Sequence, residues 1–167
     1  MNLDKCISIA EKQESALCFP NFNRKDAWEL GQLMASRILE ESLPLAVSIR
    51  LTSGFVLFQY APEGTASNNE NWMRRKFNVV RDMEQSSLLY TMRLQKKKQT
   101  LENRGLDPQY YATSGGGFPI RVSGTGVIGV VVVSGLPHVA DHDFVVDSIS
   151  RFLKITDVPR LPLNTKI

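Results

Sequence analysis

The chain has 167 residues, of which 43% are hydrophobic and 22% are charged, and its formal net charge is +3. These values are typical of a soluble globular protein with its own core, and the small positive charge excludes a strongly basic nucleic-acid-binding class. The N-terminus lacks an apolar signal-peptide core, and no apolar run is long enough to span a membrane as a helix. We therefore expect a single domain over 1–167 that is cytoplasmic, with neither nucleic acid nor membrane as a partner.

The first third of the chain predicts two helices separated by a short extended piece. Apolar residues at helical spacing predict a helix from Leu3 to Ser15. The apolar segment Ala16–Phe22 is broken by a proline and predicts an edge strand. Asn23 is a good helix N-cap, so the second helix should begin there and run to about Glu41.

The middle of the chain predicts a hairpin followed by two helices. Residues Leu45–Leu51 alternate between apolar and polar, which predicts a half-buried strand, and Phe55–Tyr60 follows a Thr-Ser-Gly turn as its partner. A loop with proline, glycine and asparagine comes next. Helices are then predicted over Glu70–Asp82 and Ser86–Asn103.

The last third predicts two more strands and a final helix. Strands are expected over Ile120–Ser123 and Val127–Val133, the second rich in β-branched residues, and a helix over Asp141–Lys154. The tail VPRLPLNTKI should be loose or form an arm on a neighbouring subunit. Short connections between successive strands imply antiparallel pairing. The expected fold class is therefore α/β of the α+β type, with an antiparallel sheet of about five strands and flanking helices.

The stretch Gly124–Gly129 fits the GxGxxG pattern of dinucleotide-binding proteins. That pattern works only where the glycines open a helix that faces the pyrophosphate. Here Val130–Val133 follow, and β-branched residues favour a strand. We therefore predict a hairpin turn and no dinucleotide site.

The two histidines, His138 and His142, are four residues apart, which is the spacing of a metal-binding pair on a helix. Pro137 precedes them, and Asp141 is a suitable N-cap, so His138 should lie before the helix and face solvent. We predict no metal site. His142 alone remains a candidate acid, base or ligand, because a histidine ordinarily titrates near neutral pH.

Two further motifs each have two interpretations. The glycine-rich loop Ser114–Pro119 would either cradle an anion with its backbone N–H groups or allow a neighbouring backbone to approach closely. Trp72 lies one helical turn from Arg75 and Lys76, a group that would either bind a planar or anionic ligand or place the indole in the core with the charges in solvent. The basic residues between Arg93 and Arg104 fit a solvated face that could also attract acidic ligands.

Four motifs in order along the chain resemble the haem-degrading-domain superfamily, the relatives of HbpS and GlcG. They are FNxxDAWELG at Phe22–Gly31, NxxWMRRK at Asn69–Lys76, GGGFPI at Gly115–Ile120, and VSGLP with DH at Val133–His142. The resemblance implies a profilin-like fold and homo-oligomers with grooves between subunits. It also implies haem as a possible cofactor, which would be bound without covalent links because CxxCH is absent.

The resemblance and the glycine loop together nominate one set of ligand-binding residues. The candidates are Trp72, Arg75, Lys76, Gly115, Gly116, Gly117, Phe118, Pro119, Ser134, Gly135, Asp141 and His142. Three functional hypotheses follow from them. The first is an oligomeric protein that binds haem or another small planar or anionic ligand, with the link to haem degradation or oxidative stress that the resemblance implies. The second is an enzyme that uses His142 as acid or base on a small anionic substrate, and the third is a protein-interaction scaffold.

Overall fold

Five α-helices and four β-strands make up the fold in a computed structural model that describes all residues, Met1–Ile167. In chain order the elements are α1 (Leu3–Ala16), α2 (Arg24–Glu40), β1 (Ala46–Leu51), β2 (Val56–Tyr60), α3 (Ser67–Met83), α4 (Ser87–Lys96), β3 (Gly117–Val122), β4 (Gly126–Ser134) and α5 (His138–Leu153). A short 3₁₀ helix at Glu102–Arg104 follows α4. None of the helices is long and apolar enough to cross a membrane.

The four strands form one sheet in the order β2-β1-β4-β3, and every pairing is antiparallel. This confirms the expected sheet, although it has four strands instead of about five. The predicted edge strand at Ala16–Phe22 contributes a single bridge between Phe19 and Val122, at the outer side of β3. Pro20 has no N–H group to continue the pairing, so the segment forms one bridge and no longer strand.

Helices cover both faces of the sheet. Val47 and Ile49 of β1 point into the main core with α2 and α5, whereas Ala46 points into a smaller cluster with Met73 and Phe77 of α3. All of β1 except its last residue is therefore buried. The half-buried strand predicted here was wrong, because an alternating pattern cannot reveal that a second helical layer covers the polar face.

The predicted turn between β3 and β4 is confirmed. Gly124 and Gly126 have positive φ angles of 77° and 110°, which residues with a side chain rarely adopt. Strand β4 then continues directly from Gly126 and pairs with both β1 and β3. A strand follows the glycines, so the GxGxxG match has no helix N-terminus at which to bind a pyrophosphate.

Several element ends differ from the expected ones. Helix α3 begins three residues early, at Ser67, and β3 begins at Gly117 instead of Ile120. Helix α4 ends at Lys96 and does not continue to Asn103, because Lys98 adopts a left-handed backbone conformation (φ 51°) that stops the helix. Helix α5 begins at His138, three residues before the expected start.

The C-terminal tail packs on its own chain, which corrects the expectation of a loose tail or an arm on a neighbour. Val158 and Leu161 are buried, at 8% and 3% exposure. Between them, the Arg160 guanidinium bonds Asp147 of α5 at 2.6 Å. Two apolar anchors and an ion pair therefore hold the tail against α5 and the neighbouring helices.

Candidate functional site

Helix α3 directs the three residues of its Trp-Arg-Lys motif in different directions. The Arg75 guanidinium lies 4.5 Å from the centre of the Trp72 ring, in a cation–π contact, and its Nε donates to the Pro108 carbonyl oxygen at 2.9 Å. Trp72 is 36% exposed, whereas Lys76 is 2% exposed. The interpretation that put the indole in the core and the charges in solvent is therefore wrong, since Lys76 is the buried member.

Lys76 forms a buried ion pair with Asp141 at the start of α5. Its Nζ donates to Asp141 Oδ2 at 2.7 Å and to the Val133 carbonyl oxygen at 3.0 Å. Burial lowers the pKa of Lys76 and raises the pKa of Asp141, and their mutual attraction opposes both shifts. The second Asp141 oxygen accepts the Leu136 N–H group at 2.9 Å. The pair thus links α3, β4 and α5, as a structural element.

The glycine-rich loop lies directly against this ion pair. Gly116 has a φ of 120°, and a Cβ atom there would lie 2.8 Å from the Val133 carbonyl oxygen and 2.9 Å from Lys76 Nζ. The Gly117 N–H group is already bonded to Ser87 Oγ at 3.0 Å, and a Cβ atom at Gly115 would collide with the His138 carbonyl oxygen. Of the two interpretations of this loop, the geometry favours close backbone approach over an anion cradle.

Of the nominated residues in β3 and at the end of β4, Phe118 and Pro119 lie apart from any open site, whereas Ser134 and Gly135 line a small polar hollow. Phe118 is 1% exposed and packs in the main core, and Pro119 is buried within the paired strand β3. Ser134 ends β4 and receives a hydrogen bond on its carbonyl oxygen from the Asn69 side chain at 3.0 Å. Gly135 is exposed and passes so close to the Pro44 carbonyl oxygen that a side chain would collide with it. These positions therefore shape the backbone around the site.

His142 lies entirely in the interior. Its Nε2 is 2.8 Å from Gln13 Oε1, and Gln13 donates its own amide to the Pro159 carbonyl oxygen at 2.8 Å. Because that amide is already a donor, His142 Nε2 carries the proton, while Nδ1 has no partner. Burial lowers the pKa of His142 to about 3. The expectation of a histidine that titrates near neutral pH is wrong, and His142 lines neither of the spaces that the other nominated residues surround.

His138 is the functional candidate that sequence reasoning missed. It was expected before the helix and in solvent, but it is the first residue of α5 and is half-buried. Burial and the nearby charge of Lys76 lower its pKa, so the ring is neutral at physiological pH. The signal was present in the sequence, because Pro137 has the fixed φ that suits the residue preceding or opening a helix.

His138 and Trp72 share one surface groove, here called the Trp72–His138 groove. It has a volume of about 510 Å³, and its lining also includes Arg75 and the apolar side chains of Leu94 and Leu101. A smaller polar hollow of about 290 Å³ adjoins it and also includes Trp72 and His138. Six nominated residues surround one or both spaces: Trp72, Arg75, Lys76, Ser134, Gly135 and Asp141.

Comparison with known proteins decides the family of this chain. The family model for haem-degrading HbpS-like proteins matches residues 22–150. The chain belongs to the HbpS-like family. Among similar sequences, the UPF0303 protein of Serratia proteamaculans is 40% identical over 157 residues, covering 93% of this chain and 97% of the relative. The UPF0303 protein of Streptomyces coelicolor is 42% identical over 148 residues, covering 88% and 93%.

Solved structures share the fold of this HbpS-like chain. The crystal structure of the Ybr137w protein has a TM-score of 0.82 and 25% identity, covering 91% of this chain and 94% of that chain. HbpS has a TM-score of 0.62 at 14% identity, covering 80% and 90%. A PduOC–haem complex has a TM-score of 0.65 at 18% identity, covering 77% and 93%. The last two share the fold.

The residues of the Trp72–His138 groove are chemically suited to haem. A neutral imidazole is the usual protein ligand of haem iron, and His138 is the histidine that lines an open space. Its Nδ1 lies 3.5 Å from the Gly115 N–H group, which is at the limit for a hydrogen bond and does not fix the tautomer. Arg75 is placed to pair with a carboxylate, and the leucines supply an apolar wall. No cluster of three or more His, Cys, Asp or Glu side chains suited to a bare metal ion occurs in the chain.

Proposed function

We propose that this HbpS-like chain is a ligand-binding protein that holds haem, or another planar anionic molecule, non-covalently in the Trp72–His138 groove. The observation that carries the proposal is the meeting of an indole, a guanidinium and a neutral imidazole around one space of about 510 Å³. That volume is within the usual range of sites for small ligands and cofactors, roughly 300–1,000 Å³. The haem complex of a structural neighbour supports the same class of ligand.

Each groove residue has a distinct part in this proposal. Haem would supply the affinity of its iron for an imidazole, and His138 is the residue that offers one. Arg75 is already oriented by its contacts with Trp72 and Pro108, so pairing with a ligand carboxylate costs little side-chain entropy. The Trp72 ring presents a flat apolar surface.

The experiment is a titration of the purified protein with haemin, followed by the Soret absorption band. We expect His138→Ala to shift the Soret band and weaken binding at least tenfold, and Arg75→Ala to weaken it several-fold. Arg74→Ala is the matched control. Arg74 immediately precedes Arg75 in α3 and also donates to a carbonyl oxygen, but it does not line the groove. Parent-like binding by both His138→Ala and Arg75→Ala would refute the proposed site.

The enzyme hypothesis finds no support in the position of His142, which is fully buried and stays neutral. Lys76 and Asp141 are also unsuited to a direct role, because both side chains are only 2% exposed and they bond to each other. We therefore assign these three residues to the framework of the site. Their substitution should change stability before it changes ligand chemistry.

A second proposal is self-association through strand β2, and a specific observation favours it. Strand β2 has no neighbour on its outer side, and residues Val56–Tyr60 contain no charge or proline to discourage pairing. Phe55 and Trp28 nearby are more than half exposed. Sedimentation velocity should show an oligomer that dissociates in Val56→Lys. A monomeric parent protein would refute this assembly.

A further inference from the structure

A second hollow lies between α1, α4 and the turn that follows α4. We call it the α1–α4 pocket. Its volume is about 450 Å³. Its lining includes the apolar side chains of Ile7, Met83 and Leu94 and the basic side chains of Arg93, Lys97 and Arg104. Leu94 and Gln99 also line the Trp72–His138 groove, whereas Trp72, Arg75 and His138 do not line this pocket.

This pocket holds an unusual share of positive charge. Four of its lining residues are basic and one, Glu11, is acidic, so the lining carries a net +3. The whole chain has the same formal net charge, +3. Because Glu11 pairs with Arg93 and Asp4 pairs with Lys96, two of the four cations remain uncompensated at this concave surface, where low-dielectric walls strengthen the local field.

Part of this charge has an ordinary structural explanation and part does not. Arg93 bonds Glu11 at 2.7 Å, and Lys96 pairs with Asp4 at 2.6 Å. Lys97 caps the end of α4, where a cation suits the helix dipole. Arg104 belongs to the separate 3₁₀ helix, forms no ion pair, and still faces the same pocket. Two unpaired cations, Lys97 and Arg104, thus converge from different segments.

The floor of the pocket also contains a polar group without a partner. The Tyr90 hydroxyl is buried and makes no hydrogen bond, and Tyr90 lines this pocket beside Ile7 and Leu94. The apolar floor favours an occupant with an organic part as well as a charged one.

We propose that the α1–α4 pocket is a binding site for a phosphate-bearing organic molecule of nucleotide size. Lys97 and Arg104 receive the phosphate groups at the rim. The apolar side chains of Ile7, Met83 and Leu94 receive the organic part on the floor. This pocket adjoins the Trp72–His138 groove at Leu94 and Gln99 but does not include Trp72, Arg75 or His138, and it gives a function to the basic residues between Arg93 and Arg104.

Isothermal titration calorimetry at low ionic strength, with ATP, inorganic phosphate and adenosine as separate titrants, tests this site. We expect ATP to bind, inorganic phosphate to bind at least tenfold more weakly, and adenosine to show no measurable binding. The double variant Lys97→Gln/Arg104→Gln should lose at least tenfold in ATP affinity. The control Lys25→Gln/Lys154→Gln removes the same charge from α2 and the end of α5, and should bind ATP as the parent does.

Three results would overturn the proposal. The first is the absence of ATP binding to the parent protein. The second is an equal loss in the test and control variants, which would mean that ATP responds only to overall charge. The third is inorganic phosphate binding as tightly as ATP, which would remove the organic part of the ligand. His138→Ala should leave ATP binding unchanged, so this result is independent of the haem proposal.

Discussion

His142 makes the stability of the protein depend steeply on pH below neutrality. Its side chain is fully buried and its pKa in the folded chain is about 3, whereas an unfolded chain gives histidine a pKa of about 6.5. Between these two values the unfolded chain binds a proton that the folded chain does not, so lowering the pH favours unfolding. The stabilisation is complete above about pH 6.5 and is lost progressively toward pH 3.

The size of the effect follows from the gap between the two pKa values. Each pH unit below 6.5 costs about 1.4 kcal/mol per proton, so the folded chain should lose about 2–3 kcal/mol through His142 by pH 4.5. That is a large fraction of the roughly 5–15 kcal/mol by which domains are stable. Carboxyl groups also titrate in this range, so the contribution of His142 must be obtained by comparing the parent with a variant that lacks the imidazole.

The assay is urea unfolding followed by tryptophan fluorescence at about pH 7.5 and pH 4.5, for the parent and His142→Gln. Glutamine keeps an N–H group for Gln13 but does not titrate, so the parent should lose about 2–3 kcal/mol more than the variant over this interval. His138→Gln is the matched control and should retain most of the parent's slope, because His138 is only half-buried. Identical pH slopes for the parent and His142→Gln would refute the reasoning.

Three further predictions concern the stability of residues around the two pockets. Gly116→Ala should lower the free energy of unfolding by about 2–3 kcal/mol, because its left-handed backbone and close neighbours leave no room for a methyl group, and a thermal melt by circular dichroism measures this. Lys76→Met should cost about 3–5 kcal/mol by leaving Asp141 unpaired, whereas Lys76→Met/Asp141→Leu should recover most of that loss in urea unfolding; an equal loss in both would show that the ion pair is not the cause. Tyr90→Phe should raise the free energy of unfolding, measured with urea, by about 1 kcal/mol, because it removes a buried hydroxyl that has no hydrogen-bond partner. A lower free energy of unfolding would mean that the hydroxyl has a partner in solution.

Much of the fold could be predicted from local patterns. The β1–β2 hairpin follows from alternation around a Thr-Ser-Gly turn, and the β3–β4 hairpin from two glycines ahead of a β-branched run. Antiparallel pairing follows from those short connections. The end of α4 was harder to place, because Lys98 has no intrinsic preference for the left-handed conformation that stops the helix.

The candidate site was predicted less well, and the two histidines show why. Their spacing along the chain is visible in the sequence. With the start of α5 predicted three residues late, His138 was expected in solvent and His142 was expected to be the available residue, and the structure shows the reverse. With the helix beginning at His138, that residue reaches the groove, and His142 turns one helical turn deeper into the core. An error of three residues in a helix boundary was therefore enough to misplace the candidate ligand.

By itself the sequence determined the strands, most of the helices, the family and the motif residues around which the site is built, because each depends on neighbours close along the chain. Only the tertiary structure decided that Lys76 pairs with Asp141, 65 positions away, at 2.7 Å, and that Arg104 faces the same pocket as Lys97. Burial and charge pairing depend on which distant segments meet. That meeting is decided by the packing of whole helices on the sheet, which no local pattern records.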